Sequence, residues 1–325
     1  VENGEINWSK LKETIYLGTR FLDDTIDANQ FVSEVPMLKE MAKKNRRIGL
    51  GILGLADLFY AMDIRYGSEK SIDLASNIIE FIRYHSMEAS MELAKEKGAF
   101  KGIIGSIYDK DNFAWNIPTP LEPYRYDWKR PTIGWQRLKN EVIENGLRNS
   151  TLMTIAPTGT TSTVLDSEGY GCEPAFALAY IRHVHQKAVG KDDLKLTYVS
   201  PSFKKRMDAE DIPVQEKEKI INYVLENGTL KGCDFAPEKM VKTFSVSGDI
   251  TVDEHIEMQA ALQRFVDNSI SKTINFPIGS TEIDVANAYI KAYKLGCKGI
   301  TVYVEGSRQQ VILETNKEAK KKNNK

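Results

Sequence analysis

Apolar residues recur along this chain with two different periods, and their alternation predicts the order of its elements. Over residues 8–26, Leu11, Ile15, Phe21, Leu22 and Ile26 fall near helical spacing, with Asn7 or Ser9 placed to cap the first turn. The longest helical pattern covers 68–96 through Ile72, Ala75, Ile79, Ile82, Ala89 and Leu93, and Gly98 can end it. Further helices are predicted over 133–145 before Gly146, over 214–225 before Asn227-Gly228, over 253–270 with Asp253 as the cap, and over 281–295. Short apolar runs at 152–156, 177–184, 271–277 and 300–303 read as strands. Residues 39–47 are polar and helical in pattern, and lead into a glycine-rich strand and a following helix near 48–57. Strands alternate with helices, which predicts an α/β fold with mainly parallel pairing. Residues 102–131 break the periodicity; Trp115, Tyr124, Tyr126 and Trp128 are expected to pack this excursion down, in preference to stacking bases beside Arg125, Lys129 and Arg130.

Composition narrows the function classes. A chain of 325 residues with 42% apolar content can bury a large core, as one large α/β domain or two smaller ones. A net charge of −1 predicts no broad basic face, so nucleic acid and membrane surfaces are not expected partners. No apolar run reaches membrane-spanning length and no signal peptide opens the sequence. Cys172, Cys233 and Cys297 form neither a metal spacing nor a disulfide framework, and the 4 histidines are scattered, so no metal site is expected and a reducing cytoplasm is the expected compartment. Asp23, Asp24 and Asp27 crowd one helix end, but without a nearby histidine they read as a solvated face. His85 reads as a structural histidine. The Lys/Asn/Glu-rich run over 314–325 is expected to be disordered, leaving 1–313 as the folded part. The sequence opens on Val1 without a methionine, which fits a fragment or a processed product.

The densest chemistry lies in the middle. The strand at 152–156 runs into a turn opened by Pro157 and loosened by Gly159, followed by the hydroxyl row Thr160, Thr161, Ser162 and Thr163. Such a turn aims fixed N–H and O–H donors at one small space and suits an anion. A polar loop capped by its own hydroxyls is the alternative. Gly49-x-Gly51-x-x-Gly54 has the spacing of a dinucleotide fingerprint, but the polar segment before it cannot serve as the buried strand that fingerprint needs. A strand packed closely through its glycines is the preferred account, and a nicotinamide-dependent dehydrogenase the less favoured one.

Arg148-Asn149-Ser150, Ile155-Ala156-Pro157-Thr158-Gly159-Thr160 and Gly171-Cys172-Glu173-Pro174 together resemble the large chain of ribonucleotide reductases. Phe21-Leu22-Asp23-Asp24, Val266-Asp267-Asn268-Ser269, Ser271-Lys272-Thr273, Asn275-Phe276-Pro277 and Gly299-Ile300-Thr301-Val302-Tyr303 extend the likeness over about residues 4–311, and are most similar to the adenosylcobalamin-dependent branch. The branches fed by a separate radical subunit carry two adjacent tyrosines in the last strand, where this chain has Val302-Tyr303. The resemblance implies the second half of a ten-stranded α/β barrel, adenosylcobalamin as cofactor, and a ribonucleoside di- or triphosphate as substrate. It implies that Pro157, Thr158, Gly159, Thr160 and Thr161 hold the substrate's 5′ phosphates, with Asn149, Ser150, Ser162 and Glu173 in support. The family's thiyl-radical chemistry uses an Asn-x-Cys-x-Glu finger and a reducing cysteine pair. No Asn-x-Cys-x-Glu occurs in this sequence, and Cys172, which replaces the family's usual aliphatic residue, reads as a small buried side chain. No catalytic residue is therefore expected here. The expected partner is the missing N-terminal half of a split or truncated reductase; an inactive nucleotide-binding or interaction fragment is the alternative. A halved barrel is also expected to uncover the faces of Leu152, Ile155, Ile274 and Phe276, and to self-associate as a homo-oligomer or bind its complement.

Overall fold

In a computed structural model, which describes residues 1–2, 4–184, 194–307 and 313–314, helices and strands alternate around three apolar clusters. The first half is helical: α1 (Trp8–Ala28), α2 (Pro36–Asn45), α3 (Leu55–Ala61), α4 (Glu69–Lys97) and α5 (Trp135–Asn145). Asn7 caps α1 by accepting from the Lys10 N–H, and Ser68 caps α4 through the Ser71 N–H. Helix α4 is buried along almost its whole length against α1, α5 and α10 (Val252–Gln263). The aromatic excursion packs down through Trp128, Tyr124 and buried Trp115, while Tyr126 stays exposed. Trp128 Nε1 donates to Asp73 and the Tyr124 hydroxyl to Glu80; Trp135 at the start of α5 also donates to Glu80.

Parallel backbone segments lie beside the central stretch. The Ile48 and Leu50 amides donate to the Thr151 and Leu152 carbonyls at 3.1 and 2.8 Å, and the Thr154 amide returns to Leu50 at 3.0 Å. On the other flank the Asn268 and Ser271 amides donate to the Met153 and Ile155 carbonyls at 3.3 and 3.4 Å. The chain then continues as β3 (Thr273–Phe276), which pairs in parallel with β4 (Thr301–Val304). The order 48–50, 151–156, 267–276, 301–304 is thus a run of parallel staves, open at both margins among the described residues. Gly49 and Gly51 let the first two staves touch, since a Cβ there would lie 2.7 Å from Thr154 Cγ2 and 2.5 Å from the Thr154 carbonyl oxygen. This stretch follows helix α2, so the glycines serve packing and no Rossmann strand precedes them.

Several expectations need correction. Beyond the parallel staves, the 177–184 strand has an antiparallel setting: β1 (Ala179–Val184) and β2 (Leu194–Val199) form an antiparallel pair, joined by β5 (Leu313–Glu314). Glu314, placed in the tail, pairs with Ile181; the rest of the expected tail lies outside the described residues. Helix α10 is capped by Thr251, whose side chain and Glu254 form a capping box, and it ends at Gln263 instead of 270. Helices α6 (Gly159–Val164), α7 (Pro201–Ala209) and α9 (Glu238–Thr243) were not expected; α8 (Val214–Asn227) and α11 (Glu282–Lys294) were. Leu152, Ile155, Ile274 and Phe276 are all buried, not uncovered. The two middle staves bury Leu152, Met153, Ile155, Ile274 and Phe276, with Thr154, Thr273 and Asn275 less buried, while Leu50 and the β4 residues Val302, Tyr303 and Val304 on the outer staves are only half-buried.

Candidate functional site

The hydroxyl-rich stretch folds as a strand end, a single left-handed residue and one short helix. Thr158 precedes α6 with φ 53°, a conformation that costs a β-branched residue energy and is held here by its own side chain. The Gly171 N–H donates to Thr158 Oγ1 at 2.7 Å, the Thr158 and Ser162 hydroxyls meet at 3.0 Å, and the Ser162 hydroxyl donates to the Gly169 carbonyl at 3.4 Å. This relay closes the loop on itself. Ser162 is buried, whereas Pro157, Thr160 and Thr161 are exposed. The first-turn amides of a helix have no partners within it, so the exposed face of Gly159, Thr160 and Thr161 offers N–H and O–H donors together.

Two carboxylates outside the loop hold its frame. Asp57, in the first turn of α3, accepts from the Glu168 and Gly169 amides, both at 2.8 Å. Asp267 accepts from the Leu152 and Met153 amides at 2.8 and 2.9 Å and pairs with buried Arg83. Gly171 has φ 54°, and a Cβ there would stand 2.5 Å from the Ala156 carbonyl oxygen. The Tyr66 hydroxyl donates to the Cys172 carbonyl at 2.6 Å. Burial pushes the Cys172 thiol up to about 12, with Glu173 adding to the shift, so near neutral pH it is a packed thiol and no nucleophile.

The supporting residues divide. Asn149 is fully buried: its amide donates to Asp23 at 2.9 Å and to the Arg46 carbonyl at 3.1 Å, and its oxygen accepts from Ser90 at 2.9 Å. It ties α1 and α4 to the central stave. Ser150 donates its N–H to the Asn45 carbonyl at 3.1 Å. Of the expected solvated face, Asp24 and Asp27 are exposed, but Asp23 is buried, and Asp23 and Asp27 both pair with Arg46 and Arg148. Glu173 accepts from the Thr273 N–H at 2.6 Å and from Lys272 Nζ at 3.1 Å. Asp57, Asp267, Lys272 and His255 escaped the sequence reading because their partners lie far away in sequence. The one local signal was a lysine set between the apolar residues Ile270 and Ile274.

A family described as "Ribonucleotide reductase, barrel domain" matches residues 1–303. A vitamin B12-dependent ribonucleoside-diphosphate reductase of Thermoplasma acidophilum is 34% identical over 322 residues, covering 99% of this chain and 36% of the relative. A protein of the same name from Mycobacterium tuberculosis is 33% identical, covering 96% and 39%. The chain therefore spans little more than a third of the length of these curated relatives. The solved structure of an Actinobacillus ureae class Id ribonucleotide reductase alpha subunit superposes with a TM-score of 0.64 at 20% identity, over 91% of this chain and 46% of that one, which shows a shared fold.

Proposed function

The chain belongs to the ribonucleotide reductase barrel family, and from that premise we propose that it serves the conversion of ribonucleotides to deoxyribonucleotides, supplying the loop that grips the substrate's 5′ phosphates. The observation that carries this reading is the division of labour among the loop hydroxyls. Thr158 and Ser162 are consumed inside the loop, while Thr160 and Thr161 stand exposed on the first turn of α6. Pro157 and Gly159 complete the binding set. The names of the similar reductases favour a ribonucleoside diphosphate as the substrate.

The loop's task is to bind and orient. The radical cysteine and its proton-handling neighbours have no counterpart in the sequence, because Asn-x-Cys-x-Glu is absent. Burial raises the thiols of Cys172, Cys233 and Cys297, with Cys297 pushed up to about 11, which supports structural roles for them. The similar reductases are named vitamin B12-dependent, and adenosylcobalamin would supply the initiating radical when bound to the whole enzyme. The clefts of about 430 and 810 Å³ among the described residues lie along α4, α10 and α11 and include no residue of the loop. No residue of this chain is assigned to the cofactor, and the complete reductase is the setting in which the loop acts.

The test is the double variant Thr160→Val/Thr161→Val, titrated calorimetrically with a ribonucleoside diphosphate. Each lost hydrogen bond to a charged group is worth about 1.5–3 kcal/mol, so affinity should fall at least roughly tenfold. Both positions are exposed, so the circular dichroism spectrum should not change. Unchanged affinity would remove the loop from the binding site.

A further inference from the structure

Lys272 is fully buried, which is rare for a lysine and costly unless every donor is met. An ammonium has three N–H groups, and three acceptors surround this one: Glu173 Oε2 at 3.1 Å, His255 Nδ1 at 2.7 Å and the Thr273 carbonyl at 3.2 Å. His255 is itself buried in α10 with Nε2 3.4 Å from the Ser247 carbonyl. With the ring proton on Nε2, the Nδ1 lone pair faces Lys272. Burial and then the Lys272 charge push the His255 pKa down to about 2, so the ring stays neutral and accepting near pH 7. The Glu173 carboxylate uses its second oxygen on the Thr273 N–H at 2.6 Å. Three elements thus meet at one buried cation: α10, the start of β3 and the turn at 171–174.

That turn is the part of the fold that braces the loop. Glu173 lies two positions after Gly171, whose N–H holds Thr158 Oγ1 at 2.7 Å. An uncompensated carboxylate there would repel an anion on the same loop, and nothing but Lys272 among its described ion pairs neutralises it. We infer that Lys272 is a positioning residue for the phosphate loop: it clamps Glu173, so that the 171–174 turn stays against Thr158, and it offsets the negative charge Glu173 brings beside the anion. The inference rests on reading 157–161 as a phosphate site. Lys272 acts through Glu173 and touches no substrate.

Cys172 is the built-in reporter, buried between Gly171 and Glu173, and buried Cys233 in another apolar cluster is the internal reference. Wild type, Lys272→Met and Lys272→Met/Glu173→Gln are labelled with iodoacetamide at pH 8, and each cysteine is followed by mass spectrometry. In Lys272→Met, Cys172 should be alkylated about tenfold faster while Cys233 keeps its rate, because a largely covered carboxylate left unpaired drives the turn open. The neutral pair in the double variant should restore slow labelling. Titration with inorganic pyrophosphate should show about tenfold weaker binding in Lys272→Met and recovery to within about threefold in the double variant. The proposal is overturned if Cys172 stays protected in Lys272→Met, if both cysteines accelerate together, or if neutralising Glu173 rescues nothing. A wild-type chain that binds no pyrophosphate, yet exposes Cys172 on loss of Lys272, would retire the phosphate reading and leave the clamp standing.

Discussion

Gly171 tolerates no side chain, for two separate reasons. Its φ of 54° is left-handed, and the nearest atom to an added Cβ is a backbone carbonyl that has no rotamer by which to retreat. Gly171→Ala should cost about 1–3 kcal/mol in urea unfolding and weaken phosphate binding through Thr158; a variant with unchanged stability would show that the turn has slack. Asp267 is the other single residue on which the central stave depends, since it serves the Leu152 and Met153 amides and the buried guanidinium of Arg83 together. Asp267→Ala leaves that charge unpaired and should cost about 3–5 kcal/mol, and adding Arg83→Met should recover part of the loss. Equal stability of Asp267→Ala and the double variant would deny the coupling. The role of Asp267 was invisible in the sequence because its partners lie more than a hundred positions away, whereas the hydroxyl row announced itself in four consecutive letters, Thr160 to Thr163.

At the scale of elements, α1, α4 and α5 are stitched by Glu88, which takes hydrogen bonds from Tyr16, His85 and Arg137. Burial alone would raise this carboxyl, but those bonds together outweigh it and hold Glu88 well below the usual carboxylate range. A carboxylate whose folded pKa is depressed gives stability that is fully present above its unfolded value, near 4.3, and is lost as pH falls toward the folded one. Glu88→Gln should therefore lower Tm at pH 7, and the gap to wild type should close below about pH 4. A gap that stays constant down to pH 3 would mean that the stitch carries no charge. Long periodic helices such as α1, α8 and α11 were legible because one repeated face decides them. Short ones were not. Helix α6 is six residues of glycine, threonine, serine and valine, poor helix formers set in place by Thr158 and the 167–171 stretch. Ser200-Pro201 ahead of α7 and the Thr251–Glu254 capping box did carry a signal, a cap beside an N1 proline and a reciprocal pair. The antiparallel β1–β2 pair gave no local sign of its direction, which depends on partners and not on pattern.

As a whole molecule the chain covers the apolar positions of its two middle staves and leaves exposed apolar side chains out on its helices. Leu17, Phe21, Met37 and Leu38 on α1 and α2, and Ile283, Ile290 and Tyr293 on α11, are more than half exposed. Sedimentation at low micromolar concentration should show concentration-dependent association, with hydrophobic-dye binding that falls as it proceeds; a monomer that binds no dye would show these faces to be ordinary surface. Purified chain given adenosylcobalamin, a dithiol and ribonucleotides should yield no deoxyribonucleotide above a no-protein control, and product would place the radical chemistry on this sequence. Helix α4 imposes a limit of another kind. It meets partners at successive turns along its length: Asp73 meets Trp128, Glu80 meets Trp135, Arg83 meets Asp267, and Glu88 meets Tyr16. One extra residue among them would swing everything beyond it by about 100° and drag several buried charges off their counterparts in a single step. Descendants of this gene can respell that helix almost letter by letter, but they cannot change the number of letters between Asp73 and Glu88.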